Sequence, residues 1–339
     1  GTAIRRQFVL HVSPRANNGE RDTEHALRVE VLIYTPQKTN GLAPAFVGLN
    51  SFGNQTVHED PTIRMSRAWM RQRDNVGIIG NRATEASRGV HQQRWQLEQL
   101  IARGYGLVTA YYGDIDPDTY QADFTDGVHP LFYEPGQTAP AENQWGAIGA
   151  WAWGLSTIRQ WLEADELINV NRLAVVGHSR LGKTALWAGA RDERFAMVIS
   201  NNSGCGGAAL YRRCFGERIH HMVDNRIAYW FCRRHATYAL REHELPVDQH
   251  MLLALIAPRP LYIASAVEDQ WADPRGEFLA ARGAAEIYEL YGTAGLPADE
   301  FPPPDQPRVG RIGYHVRTGK HEVTEYDWEQ YLDFADRFL

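Results

Sequence analysis

The sequence predicts an α/β fold, a three-layer αβα sandwich around a mostly parallel central sheet, and three observations predict it. Apolar, β-branched runs such as 173–176 read as strands buried on both faces, and they alternate with helical stretches along the chain. One strand passes into a helix through Gly177-His178-Ser179-Arg180-Leu181-Gly182, a turn whose small residues suit a strained backbone and a close crossing chain. Hydrophobic residues make up 44% of the 339, enough for a large core, and no repeat or linker interrupts the alternation. The chain 1–339 therefore reads as one domain.

In chain order, residues 4–12 and 26–35 read as strands, the second alternating Leu27, Val29, Val31 and Ile33. The stretch 13–24 between them, rich in Asn, Gly and charge, reads as a loop. Residues 44–50 form a short buried strand ending in Asn50-Ser51-Phe52-Gly53-Asn54. A loop after such a strand can supply backbone N–H groups to an oxyanion hole; a plain Asn-Gly turn fits the same residues, and both readings stay open. Residues 55–93, polar and Arg-rich, read as a surface excursion, 95–102 as a helix capped by Gly104, and 106–112 as the next buried strand. Asp114-Ile115-Asp116-Pro117-Asp118 lacks the glycine and distal glutamate of a calcium loop and reads as a solvated turn. A second excursion runs over 114–143. Ile148, Trp151, Leu155, Ile158 and Leu162 then recur at steps of three and four, marking a helix packed on the sheet.

After the Ser179 turn come Leu181, Thr184 and Ala188 on one helical stripe, a strand over 196–200, and a loop over 201–207 whose glycines suggest flexibility. Residues 208–250 carry several histidines, but His220 and His221 are adjacent and no zinc-binding spacing appears, so no metal is expected. No cofactor is expected either. Residues 261–267 read as a strand ending in Glu268 and Asp269, 276–291 as a helix, 297–307 as a proline-rich loop, and 311–317 as the last strand. His321 follows, and a terminal helix keeps Tyr331, Phe334 and Phe338 on one side.

A net charge of −6 argues against nucleic-acid binding, and no apolar run approaches the ~18 residues that would span a membrane. Cys205, Cys214 and Cys232 make no disulfide framework; a Cys205–Cys214 bridge and reduced thiols remain equal alternatives. The chain begins at Gly1 with no visible signal peptide, as a processed or trimmed protein would. Ten tryptophans and fifteen tyrosines exceed what a core alone asks for, and sugar-binding clefts use such rings.

A serine hydroxyl needs a base to take its proton and a carboxylate to orient that base. Ser179 is followed by Glu268 and Asp269 after one strand and by His321 after the last. This order resembles that of the α/β-hydrolases: serine, acid, histidine. Asp269 is the preferred acid, because in the hydrolases this order resembles, the acid lies a few residues before a proline that starts the next helix, and Pro274 fits; Glu268 reads as a surface or substrate contact. His315 falls inside a strand pattern and reads as structural.

The strings Gly177-His178-Ser179-Arg180-Leu181-Gly182-Lys183, Ser203-Gly204-Cys205-Gly206-Gly207, Ala257-Pro258-Arg259-Pro260 and Trp271-Ala272-Asp273-Pro274 together resemble the glucuronoyl esterases, specifically their bacterial branch. The resemblance runs from about Asn50 to His321. It implies a secreted or periplasmic serine esterase, expected to be a monomer, that cleaves the ester between glucuronic acid on xylan and lignin alcohols. It further implies Ser179 as nucleophile, His321 as base, Arg180 as a stabiliser of the oxyanion, Lys183 as a ligand of sugar hydroxyls, Trp271 as a wall of the sugar site, and Glu217 as a further substrate-side residue. Two departures stand out. Asn202 occupies the place where fungal members carry the triad acid, which leaves that role to Asp269. His178 and Glu322 stand where fungal members have a disulfide, so that bond cannot form. An acetyl xylan esterase, or an inactive carbohydrate-binding relative, are the competing readings.

Overall fold

The computed structural model describes residues 1–13, 26–121 and 123–339. Most of the loop read at 13–24 lies outside the described residues.

Nine strands form one sheet. They are β1 (Ala3–Val12), β2 (Leu27–Pro36), β3 (Ala43–Asn50), β6 (Gly106–Tyr111), β7 (Ile168–His178), β8 (Met197–Asn201), β9 (Leu261–Ala266), β10 (Arg308–Val309) and β11 (Ile312–Arg317). The missing numbers belong to a separate ribbon, β4 (Ile78–Ile79) with β5 (Arg82–Ala83). The order across the sheet is β1-β2-β6-β3-β7-β8-β9-β11-β10. The six strands from β6 to β11 in that order run parallel, while β1, β2 and β10 pair antiparallel at the edges.

Among the described residues there are eight α-helices: α1 (Gln92–Trp95), α2 (Leu97–Ala102), α3 (Ala147–Trp161), α4 (Arg180–Arg191), α5 (Ile219–Asp224), α6 (Gln249–Ala254), α7 (Pro274–Leu290) and α8 (Glu325–Phe338). The alternation of strand side chains divides the core between two faces. Val47, Val175, Val198 and Ile263 pack with Trp151, Leu155 and Phe278 of α3 and α7 on one face. Phe46, Ala174, Val176, Ile199 and Tyr262 pack with Trp328, Tyr331 and Phe334 of α8 on the other. Each of the fully buried indoles, Trp151 and Trp328, removes roughly 200 Å² from water, worth about 5 kcal/mol before the entropy of ordering.

The three layers and the parallel centre follow the sequence expectation, and three local readings need correction. The helix expected over 95–102 is broken at Gln96, whose φ of 40° ends α1 and starts α2. The excursion 55–93 is not a simple surface loop: Val57, Ile63, Met70 and Ile78 are buried in it. The aspartates at 116 and 118 are not in a solvated turn but buried, Asp116 against His129 Nδ1 at 2.9 Å and Asp118 with the partners described below.

The parallel strands β3, β7, β8, β9 and β11 all end at the same edge of the sheet. Their following loops, at 51–54, 179, 202–207, 267–273 and 318–324, are thereby gathered where open α/β sheets bind ligands.

Candidate active site

Ser179 sits between β7 and α4 with φ 60° and ψ −128°, a conformation that costs about 1–3 kcal/mol in a non-glycine residue. Its neighbours over-determine it. The Ser179 N–H donates to the Asn201 carbonyl at 2.8 Å, and its own carbonyl accepts the N–H groups of Gly182 (2.9 Å) and Lys183 (3.1 Å). A Cβ at Gly177 would stand 1.9 Å from the Leu181 carbonyl oxygen, and one at Gly182 would press on Ser203, Asn201 and Gly177. The second glycine of the motif is therefore at 182, since that is the position where the elbow meets the end of β8.

His321 lies in the loop after β11 with its side chain 44% exposed, and its Nδ1 is 2.6 Å from Oδ2 of the buried Asp269. Asp269 Oδ1 accepts the Ala272 N–H at 3.4 Å, which fixes the carboxylate plane. Glu268 is exposed and ties to the histidine loop through its backbone, N–H to the Gly319 carbonyl at 3.0 Å. Of the two acids, the structure brings Asp269 to the imidazole. Asn202 is buried, and its Nδ2 reaches the Glu322 carbonyl at 3.4 Å.

His178, unremarked in the sequence apart from the disulfide it precludes, packs against His321 with ring centres 4.5 Å apart and planes tilted by 45°. Its Nδ1 donates to Asn201 Oδ1 at 2.7 Å. Burial first, then the nearby His321 and Arg94 charges, push its pKa well down, so it is neutral beside the other imidazole. Glu322 pairs with Arg94 at 2.6 Å.

Ser179 and His321 share a cleft of about 340 Å³ with Phe52, Arg71, Tyr112 and Arg180. Asn50 Oδ1 accepts the Gly53 N–H at 2.8 Å and shapes the 51–54 loop, whose Ser51 and Phe52 form part of the cleft wall. The Arg180 guanidinium bonds Asp118 and lies 4.8 Å from the centre of the Trp230 ring. Asp118 also receives Tyr112 (2.9 Å), Trp230 Nε1 (3.0 Å), Tyr229 and, at 3.3 Å, Arg71. Burial alone would raise its pKa, but Arg180 and Arg71 hold the carboxyl below its usual range. Asp118 is thus the anchor of Arg71 and Arg180 in the cleft. The local pattern showed an acidic turn; apart from Tyr112, its partners come from 47 to 112 residues away.

Lys183 and Trp271 are expected at a sugar, and the structure revises Lys183. Its side chain is 4% exposed, and its ammonium already donates to the Ser203 carbonyl (2.8 Å), the Cys205 carbonyl (2.5 Å) and Glu217 Oε2 (3.0 Å). With three protons so engaged, it orients Glu217 and the 203–205 backbone rather than offering a free donor. The Glu217 N–H in turn donates to the Trp271 carbonyl at 2.7 Å, joining the three residues into one patch. Trp271 is 49% exposed, with His221 4.8 Å from its ring. The loop 201–207, expected to be flexible, is buried: Glu277 of α7 accepts the N–H groups of Ser203 (2.8 Å) and Gly204 (2.9 Å). A second, apolar cavity of about 610 Å³, lined by Trp145, Trp187, Trp230 and Phe231, contains neither Ser179 nor His321. Cys205, Cys214 and Cys232 are free, so the Cys205–Cys214 bridge is not made.

The chain as a whole is similar to known proteins. The family model of fungal glucuronyl esterases matches residues 129–292. The carbohydrate esterase MZ0003 of an unknown prokaryotic organism is 49% identical over 339 residues, covering 100% of this chain and 76% of that protein. Among solved structures, a promiscuous CE15 esterase from a marine bacterial metagenome superposes with TM-score 0.90 at 49% identity, over 100% of this chain and 82% of that one. A glucuronoyl esterase from Solibacter usitatus gives TM-score 0.87 at 44% identity, over 98% and 86%.

Proposed function

The chain belongs to the glucuronoyl esterase family, CE15, and is a carboxylic ester hydrolase; from that premise we propose that it cleaves esters between (4-O-methyl-)glucuronic acid on glucuronoxylan and lignin alcohols, with Ser179, His321 and Asp269 as its triad. The observation that carries the triad is the strained serine sharing a cleft with an imidazole whose Nδ1 is 2.6 Å from a buried carboxylate.

Asp269, an acceptor, selects the tautomer with the proton on Nδ1, so Nε2 is free to take the Ser179 proton. The Ser179 oxygen attacks the ester carbonyl carbon, and the resulting oxyanion meets the Arg180 backbone N–H, which at the first position of α4 has no intrahelical acceptor. The Arg180 guanidinium, held rigid by Asp118, adds a fixed positive potential in the same cleft. The intermediate collapses as His321 returns its proton to the departing alcohol. Water then attacks the acyl-enzyme by the same route and releases glucuronate. A neutral His178 matters here, because a second cation 4.5 Å away would oppose the imidazolium that His321 becomes.

On the sugar side, Glu217 and Trp271 offer a hydrogen-bonding carboxylate and an exposed indole face, with Lys183 behind them. The polymeric substrate is met outside cells, and we read the enzyme as secreted or periplasmic and monomeric. Among the described residues no helix is long and apolar enough to cross a membrane. The test is paired turnover of a benzyl glucuronate ester and of acetylated xylan. Preference for the glucuronate ester is expected; preference for acetyl release would assign the site to a different carbohydrate ester.

A further inference from the structure

Beneath the cleft, both catalytic loops hang from one buried carboxylate. Asp327, in the first turn of α8, is fully buried and accepts five hydrogen bonds. Oδ1 takes Asn201 Nδ2 at 2.9 Å and His315 Nε2 at 3.0 Å. Oδ2 takes Arg317 Nε at 2.8 Å and the Thr324 N–H and hydroxyl at 2.7 Å each.

Two of these bonds lead to the reacting groups. Asn201 is the last residue of β8, and its carbonyl holds the Ser179 N–H at 2.8 Å. Because an ionised carboxylate only accepts, Asp327 forces the Asn201 amide to present Nδ2 to it and Oδ1 to the other side. Oδ1 is then the acceptor for His178 Nδ1 at 2.7 Å, which fixes the tautomer of the ring packed on His321. In the other direction, the Arg317 guanidinium fans out to the carbonyls of Thr318 (3.1 Å), Lys320 (2.9 Å) and Glu322. The last two flank His321 on either side.

We propose that Asp327 is a positioning residue for the hydrolysis, setting the Ser179 elbow (through Asn201) and the His321 loop (through Arg317) in one common register. It touches no substrate. Neither Asp327 nor Arg317 lines the cleft, and both are at least 97% buried, so the network acts through geometry alone. His321 needs such a device: its side chain is 44% exposed, and Gly319 in its loop adopts φ 108°. Other ties hold parts of the loop, Gly319 to the Glu268 N–H, Glu322 to Arg94 and Asn202, and Thr318 to Asp305, but among the described residues the guanidinium alone holds the carbonyls on both sides of His321. Misplacing a catalytic group by about 1 Å can cost about 10²-fold in rate.

The inference rests on the proposed roles of Ser179 and His321, so Ser179→Ala is assayed in parallel. Arg317→Lys keeps the cation but loses the fan of donors; it is expected to lower kcat about 10²-fold on a benzyl glucuronate ester, with KM changed less than twofold. Thr324→Ala removes a bond to the same carboxylate off both paths, and is expected to lower Tm while leaving kcat unchanged. Asn201→Ala severs the other arm and serves if Arg317→Lys does not fold; it should show the same split, and the double substitution should lose no more than the worse single. Normal kcat in Arg317→Lys or Asn201→Ala, losses that track Tm in all variants including Thr324→Ala, or independent, multiplying losses would each overturn the proposal. Retained turnover in Ser179→Ala would instead overturn the reading it rests on.

Discussion

Asp269→Asn is the substitution whose outcome the geometry specifies most closely. Asp269 Oδ1 accepts the Ala272 N–H, and Oδ2 faces His321 Nδ1 at 2.6 Å. An asparagine keeping its oxygen on Ala272 must turn its NH₂ toward the imidazole. Nδ1 then becomes the acceptor, the proton moves to Nε2, and the ring can no longer take the Ser179 proton. The analogous change in serine proteases lowers kcat about 10⁴-fold, equivalent to about 5.5 kcal/mol of transition-state stabilisation. The half-exposed His321 can regain the useful tautomer through solvent part of the time, so a loss of about 10³-fold or more is expected here. The assay is kcat on one glucuronate ester, with Asp269→Asn and Glu268→Gln side by side at equal Tm. Glu268 lies exposed and engages the histidine loop only through its backbone, so its variant should stay within about threefold of the parent. If Glu268→Gln is the crippled enzyme, or if Asp269→Asn retains a tenth of its activity, the assignment of the acid is wrong.

Trp271→Ala removes a 49% exposed indole and is expected to raise KM for a glucuronate ester several-fold, with little change in Tm or in turnover of 4-nitrophenyl acetate. Lys183→Ala should behave differently. Removing a buried ammonium strands Glu217 and two carbonyls, at about 3–5 kcal/mol, so thermal denaturation should show a fall in Tm as well as weaker binding. Glu277 gives a pH signature. Burial raises its pKa from 4.5 to about 7 against the bonds from Ser265, Gly204 and Ser203. Between those values the native state keeps a proton that the unfolded chain releases, so this group's contribution falls as pH rises from about 4.5 to 7, by about 3 kcal/mol in all. Glu277→Gln mimics the protonated form, and its Tm relative to the parent should improve from pH 5 to pH 8; a constant difference would contradict the account.

The elbow, the strand order and the acid-before-histidine spacing were legible because each is written locally: an apolar run, a small-residue turn, a strand end. The sheet's alternation of faces likewise follows from period two within each strand. What composition misjudged depends on partners far along the chain. Asp114 to Asp118 reads as a solvated turn until Arg180, 62 residues on, and Trp230, 112 residues on, fold against Asp118. The glycines of 201–207 suggest flexibility, yet Glu277, 74 residues from Ser203, pins that backbone. Lys183 looks like an open donor for the same reason, since the carbonyls that occupy it belong to the 203–205 loop. Arg317 and Asp327, ten residues apart, carried no signal beyond a cation at a strand end and an acid near the start of the terminal helix.

The most direct test of the central claim is labelling with a fluorophosphonate probe, followed by peptide mapping and repeated in the presence of a glucuronate ester. The account predicts one equivalent of label on Ser179, slowed by the ester, no label on Ser179→Ala, and loss of ester hydrolysis by that variant with the fold retained. Label on another residue, or undiminished hydrolysis by Ser179→Ala, would contradict it.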